Sequence, residues 1–304
     1  MIVERIAVVG PGAIGTTIAA ALHASGRTPA LYGRTARESL EFLVGDARIV
    51  VPGPVRTRPD ELDAGVDAEV DGGADVVFLA VKATQIDAAA PWLRALCRRD
   101  TVVCVLQNGV EQVAMVSPHV AEGVIVLPSV VWFPAQAQPD GTVRLRGDAR
   151  LTVPAGSGAD RIAAVLDGTL CTVEVSADFP AMAWRKLLQN AAAGLMALTG
   201  RRAGVFHRDD LADLTRAYLQ ECAEVALAEG VALDAGVADG ILAGFRSAPA
   251  DLSTSILTDR EAGRPLEWDV RNGVVSRLAA RHDIRTPVSD LVTTLLAATS
   301  DGPG

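Results

Sequence analysis

The chain has 304 residues, 49% of them hydrophobic, and carries 28 basic against 37 acidic side chains for a net charge of −9. That length favours two domains, each large enough to bury a core, and an acidic balance with no basic run argues against nucleic acid as a partner. Cys97, Cys104, Cys171 and Cys222 lack metal-ligand or redox spacing, which argues against zinc and a disulfide framework; no apolar run reaches the roughly 20 residues of a membrane span, and a start without an apolar leader predicts a reducing, cytoplasmic setting.

The first element is an apolar run, Ile6 to Val9, that stops at Gly10-Pro11-Gly12-Ala13-Ile14-Gly15 and gives way to a helix of small residues. The G-x-G-x-x-G spacing at a strand-to-helix turn has a mechanical reason. Gly10 permits the turn, Gly12 lets backbone approach a pyrophosphate, and Gly15 lets helix pack on strand, so these six residues are candidate cofactor contacts. The N–H groups of the helix start face the anion. Glycines also occur wherever a loop is tight, and the motif gains its weight from the strand before it and the helix after it.

Pro29 to Tyr32 reads as the second strand, and Gly33-Arg34-Thr35-Ala36-Arg37 then sits where a dinucleotide fold meets the adenosine ribose. No acid stands there to take the ribose hydroxyls of NAD, whereas a guanidinium accommodates the extra phosphate of NADP. Arg34 and Arg37 therefore favour NADP; the competing reading makes them solvated arginines opening a helix. Ile49 to Val55 reads as a strand and Asp60 to Gly73 as turn-rich. Val76 to Val81 reads as a buried strand with Lys82 at its carboxyl end, the side on which open parallel sheets hold ligands. A helix from Gln85 to Cys97 leads to the strand Val102 to Leu106, which ends in Gln107-Asn108-Gly109.

Val124 to Phe133 and Thr142 to Val153, split by the turn Gln136 to Gly141, read as hairpin strands that finish the sheet. A helix over Asp160 to Asp167 and a strand near Thr172 to Val175 close the first domain. From Asp178 the apolar period is near 3.6, through Met182 to Leu198, Leu211 to Ala228 and Val270 to Ala280. The expected fold is a Rossmann-type, doubly wound α/β domain over residues 1–175 followed by an all-α domain over 176–304, with a disordered tail from Asp301 to Gly304.

The helical part opens on Trp184-Arg185-Lys186-Leu187-Leu188-Gln189-Asn190, where a four-residue step puts Lys186 and Asn190 on one helix face. Hydride delivery to a ketone builds negative charge on its oxygen, and a lysine whose pKa is lowered by partial burial can stabilise and then protonate it. On spacing alone, a surface lysine with a polar neighbour is the better reading. A second polar cluster holds Ser253, Thr254, Ser255, Asp259, Arg264, Glu267, Asp269 and Asn272, and periodicity reads these as capping and solvated groups.

Taken in order, Gly10-x-Gly12-x-x-Gly15, Val81-Lys82-Ala83, Gln107-Asn108-Gly109, Trp184-x-Lys186-x-x-x-Asn190 and Ser255-x-x-x-Asp259 to Gly263-Arg264-x-x-Glu267 resemble the ketopantoate reductase (2-dehydropantoate 2-reductase) family over nearly the whole chain. The resemblance implies NADPH-dependent reduction of a 2-keto acid, first of all ketopantoate to pantoate, in an interdomain cleft of a homodimer, without a metal. Carried over by position, Lys186 is the general acid and Asn190 contacts the substrate hydroxyl or carbonyl. Ser255 holds the substrate carboxylate, Glu267 orients substrate and lysine, and Lys82 and Asn108 make the cofactor and carbonyl-side contacts. One departure stands out: eight residues beyond the lysine, where the pantothenate-pathway enzymes usually carry a second asparagine, this chain has Gly194. A lost hydrogen-bond partner bears on the choice of substrate and leaves the reaction class unchanged.

Rival folds fare less well. A short-chain dehydrogenase needs Tyr-x-x-x-Lys, but Ala36 and Cys222 stand four residues after Tyr32 and Tyr218. A β-hydroxyacid dehydrogenase has a similar lysine and asparagine step, which keeps a 3-keto acid open as substrate. An NADP-sensing regulator would keep the glycine loop without a lysine, and Lys186 with Glu267 argues against it.

Overall fold

The computed structural model describes residues 4–61 and 73–302. Most of the stretch expected to be turn-rich, and the last two residues of the expected tail, lie outside them. The chain falls into two units, one holding the residues up to Gln107 together with Glu111–Phe179, the other Asn108–Val110 together with Pro180 onward.

The first unit runs β1 (Ile6–Val9), α1 (Ala13–Ala24), β2 (Ala30–Tyr32), β3 (Ser39–Val44), β4 (Ala47–Pro52), β5 (Val55–Arg56), β6 (Ala74–Leu79), α2 (Ile86–Leu96), β7 (Cys97–Val105), α3 (Gln112–Val116), β8 (Ile125–Pro128), β9 (Val130–Val131), β10 (Ala135–Ala137), β11 (Val143–Leu145), β12 (Ala149–Pro154), α4 (Ala159–Leu166) and β13 (Cys171–Ser176). Six strands form a parallel sheet in the order β5-β2-β1-β6-β7-β8, the doubly wound arrangement that the alternation of strands and helices implies. All four residues of β1 are buried because the strand is covered on both faces, which is why it reads as an unbroken apolar run. Val8 pairs with Leu31 on one side and Phe78 on the other.

Two expectations need correction. Ile49 to Val55 is divided between β4 and β5, and a further strand, β3, pairs antiparallel with β4. The two hairpin strands expected after Val124 are five short strands shared among three sheets. Only β8 extends the parallel sheet; β9 pairs with β12, and β10 with β11 joins β3 and β4. Pro128 and Pro134 explain the breaks, since neither has an N–H to give to a ladder.

The second unit is helical: α5 (Phe179–Thr199), α6 (Asp209–Ala228), α7 (Val237–Ser247), α8 (Ser255–Glu261), α9 (Val274–Arg281) and α10 (Pro287–Ser300). Its core gathers Leu187, Leu188, Met196, Tyr218 and Leu278, and Phe206 stacks on Phe245 with ring centres 4.6 Å apart. A π-helical turn over Asp269–Gly273 leads into α9 and buries four successive residues from Val270. Its wider winding brings in residues that a 3.6 period would leave outside. All four cysteines are buried and form no disulfide, and burial pushes the thiols of Cys97, Cys104 and Cys171 up to about 12. Among the described residues no helix is long and apolar enough to cross a membrane.

Candidate active site

In the first unit the three glycines of the loop meet different constraints. Gly10 has φ +89°, and a Cβ there would lie 2.7 Å from Val81 Cγ1 and 2.8 Å from Val81 N. At Gly15 a Cβ would run into the Gly10 carbonyl and come 3.1 Å from Ala80 Cβ. At Gly12 it would meet no described atom within 4 Å. The fold itself demands Gly10 and Gly15, whereas Gly12 leaves open space in front of the first turn of α1, where no side chain caps the helix. An anionic group fits that opening, with the first-turn N–H groups as donors. Pro11, Ala13 and Ile14 complete the loop, and a Cβ at Gly33 would lie 2.9 Å from Pro11 Cδ, so β2 ends tightly against it.

Arg34 and Arg37 are exposed, and neither lies in a helix. Arg56, which the sequence did not single out, has its guanidinium 5.9 Å from the centre of the Tyr32 ring while its carbonyl accepts from the N–H of Gly33. Lys82 is half-buried at the start of a single 3₁₀ turn. Gln107 has an architectural role: its amide donates to the Val81 carbonyl at 3.0 Å and ties the ends of β6 and β7.

Several polar side chains of the second unit are held by one another. Lys186 and Asn190 stand one turn apart on α5. Burial, assisted by the positive charge of Arg271, lowers the Lys186 ammonium from 10.5 to about 8. Asn190 is buried and its amide donates to Oδ1 of Asn108 at 3.1 Å. Asn108 belongs to the short Asn108–Val110 segment of this unit, whose Gly109 approaches the Val270 carbonyl so closely that a Cβ would lie 3.2 Å from it. Ser255 opens α8, and Glu267 lies buried ahead of the π turn. Arg271 joins them, its Nη2 donating to Ser255 Oγ at 2.9 Å and to Glu267 Oε2 at 3.2 Å.

A lysine with a lowered pKa, an amide held by another amide, and a hydroxyl and carboxylate linked by a guanidinium suit reduction of a carbonyl in an anionic substrate. The family description "Ketopantoate reductase PanE/ApbA" matches residues 6–158, and its C-terminal counterpart matches residues 178–300. The chain belongs to the ketopantoate reductase family. It is 54% identical over 300 residues to a 2-dehydropantoate 2-reductase of Mycobacterium tuberculosis, covering 98% of this chain and 99% of that one. A Caulobacter vibrioides 2-dehydropantoate 2-reductase is 35% identical over 96% of this chain and 98% of its own. The structure of a dimeric ketopantoate reductase from Staphylococcus aureus superimposes with a TM-score of 0.87 at 25% identity, covering 99% of this chain and all of that one.

Within this ketopantoate reductase-family chain, Gly194 has a packing explanation. A Cβ there would lie 2.7 Å from Asn272 Nδ2 and 3.0 Å from Leu296 Cδ1. Asn272 is fully buried, and its amide donates to the Ala191 carbonyl at 3.2 Å and to Tyr218 Oη at 2.9 Å. An amide does stand beside position 194, but it enters from the π turn and is used in the core. Asn272, expected from periodicity to be capping or solvated, is a core residue instead, and nothing in the periodicity marks Arg271. The one available signal was the four-residue step from Glu267 to Arg271, a spacing at which opposite charges meet on a helix.

Proposed function

We propose that this chain reduces a 2-keto acid to the 2-hydroxy acid with NADPH, ketopantoate to pantoate being the first substrate to test. The observation that carries the reading is Lys186, held at about 8 beside an Asn190 whose orientation is fixed by Asn108. When bound, the nicotinamide supplies the hydride. Gly10, Pro11, Gly12, Ala13, Ile14 and Gly15 would hold its pyrophosphate, Arg34 the 2′-phosphate of NADP, and Lys82 and Asn108 would complete the cofactor contacts.

The remaining chemistry belongs to side chains of the second unit. The Lys186 ammonium donates to the ketone oxygen and gives up its proton as negative charge builds there. Asn190 gives one of its two N–H groups to Asn108, which turns its Oδ1 to accept from the hydroxyl that forms. Ser255 donates to the substrate carboxylate. Glu267, held by Arg271, orients the substrate or the lysine. The S. aureus relative, described as dimeric, supports a homodimer, and the cytoplasm is the setting the reading implies.

The test is NADPH oxidation with panels of 2-keto and 3-keto acids. The 2-keto panel should turn over, and Lys186→Ala should lower kcat by about 10² to 10⁴-fold while NADPH binding changes little. Arg34→Ala should raise the KM for NADPH about tenfold or more and spare NADH, the size expected for one charge-assisted contact. Turnover confined to 3-keto acids would reassign the substrate, silence on both panels would return the regulator reading, and full turnover by Lys186→Ala would end the mechanism.

A further inference from the structure

Arg271 has no part in the reductase reading beyond holding Glu267, yet it is 3% exposed and touches the serine to which that reading gives the substrate carboxylate. An internal ion pair is a poor stability device, because removing two charges from water costs about as much as their attraction returns. The pair is also not a two-nitrogen clamp. Glu267 Oε2 accepts from Nη2 and not from Nε, which lies on the same edge of the guanidinium and is buried with no acceptor among the described residues. A carboxylate serving only to neutralise the arginine would gain more by taking both nitrogens.

The bond to Ser255 has a sharper consequence. A hydroxyl has one hydrogen to give, and an oxygen that accepts from Nη2 must turn that hydrogen elsewhere. We propose that Arg271 is a positioning residue for substrate recognition: it fixes the Ser255 hydroxyl as a donor and sets a buried positive charge behind it, so that the site selects substrates whose end group is an anion. The inference rests on the 2-keto acid reading above and adds the residue that makes the carboxylate a requirement. Without Arg271 the hydroxyl could rotate and accept as readily as donate, and an acid would lose its advantage over a neutral end group.

The experiment compares a 2-keto acid with its primary amide on the wild-type protein, Arg271→Met, Ser255→Ala and the double variant, with NADPH affinity measured by fluorescence as the check on folding. For Arg271→Met, the KM for the acid should rise about tenfold or more while the KM for the amide stays put, so that the acid-over-amide preference falls about tenfold whatever loss of kcat, common to both compounds, follows from releasing Glu267. Adding Ser255→Ala to Arg271→Met should cost less than about threefold further, because the hydroxyl has already lost its director. KM values for acid and amide that rise together, or single effects that multiply in the double variant, would show a packing role and overturn the proposal. If Arg271→Met cannot hold NADPH, Ser255→Ala still decides. It should keep a reduced preference for the acid because the guanidinium charge remains, and complete loss of that preference would assign charge reading to the serine alone. A wild-type protein that turns over neither compound sinks the reductase reading, and calorimetric binding of acid against amide to the wild-type and Arg271→Met proteins then tests Arg271 independently.

Discussion

A lysine at about 8 keeps its proton at neutral pH and can still surrender it, which an ordinary lysine near 10.5 does far less readily. The sign of the resulting pH dependence follows from which form works. Ketone reduction needs the ammonium, so kcat/KM for the keto acid should be flat below pH 8 and fall about tenfold per pH unit above it, while oxidation of the hydroxy acid, which needs the free amine, should rise through the same region. Burial is the larger cause of the shift and the Arg271 charge the smaller, so the limb in Arg271→Met should move upward by only part of the distance to 10.5. A pH–rate profile with no limb between 7 and 9 would separate the lysine from the proton transfer.

At the scale of single elements, α5 and the π turn meet closely at Gly194 and Asn272. Gly194→Ala replaces a poor helix former, worth about 1 kcal/mol in stability if space allowed. It also places a methyl 2.7 Å from an amide that already has two partners in a closed core. Overpacking of this kind costs about 1 to 3 kcal/mol, so a net loss of stability is expected, read as a lower thermal midpoint. A variant more stable than the wild type would mean that Asn272 moves aside easily. The same pair of elements shows what the sequence could reveal. The glycine loop and the long helix with Lys186 and Asn190 were legible because strand, turn and helix signals are local. The fate of Val124 to Val153 was not, because which sheet a short strand joins depends on partners such as β3, about a hundred residues away. Arg271 and Asn272 were hidden for a third reason. They follow Val270 in a stretch that reads as one amphipathic helix, and the extra residue of the π turn carries both inward. The roles proposed for Lys186 and Glu267 rest on the order of five modest motifs, each of which spacing alone leaves as solvated polar side chains.

For the molecule as a whole, light scattering at micromolar concentration should give twice the 31.6 kDa of one chain, and a monomeric mass would remove the homodimer while leaving the reductase reading intact. The core of each unit also sets the reactivity of its thiols. Cys97, Cys104 and Cys171 lie in the first unit and Cys222 in the second, all within 5% exposure and all held in the protonated form by burial. Thiolate, not thiol, attacks a labelling reagent, so the native chain should be nearly silent to one and become reactive only as it opens. Each unit thus carries an internal clock: labelling followed by peptide mass spectrometry would time the opening of the parallel sheet through Cys97 and Cys104, of the β13-β12-β9 sheet through Cys171, and of the helices through Cys222. A single cysteine introduced on the surface would stand alone as an attachment point for a dye, with no native thiol to compete.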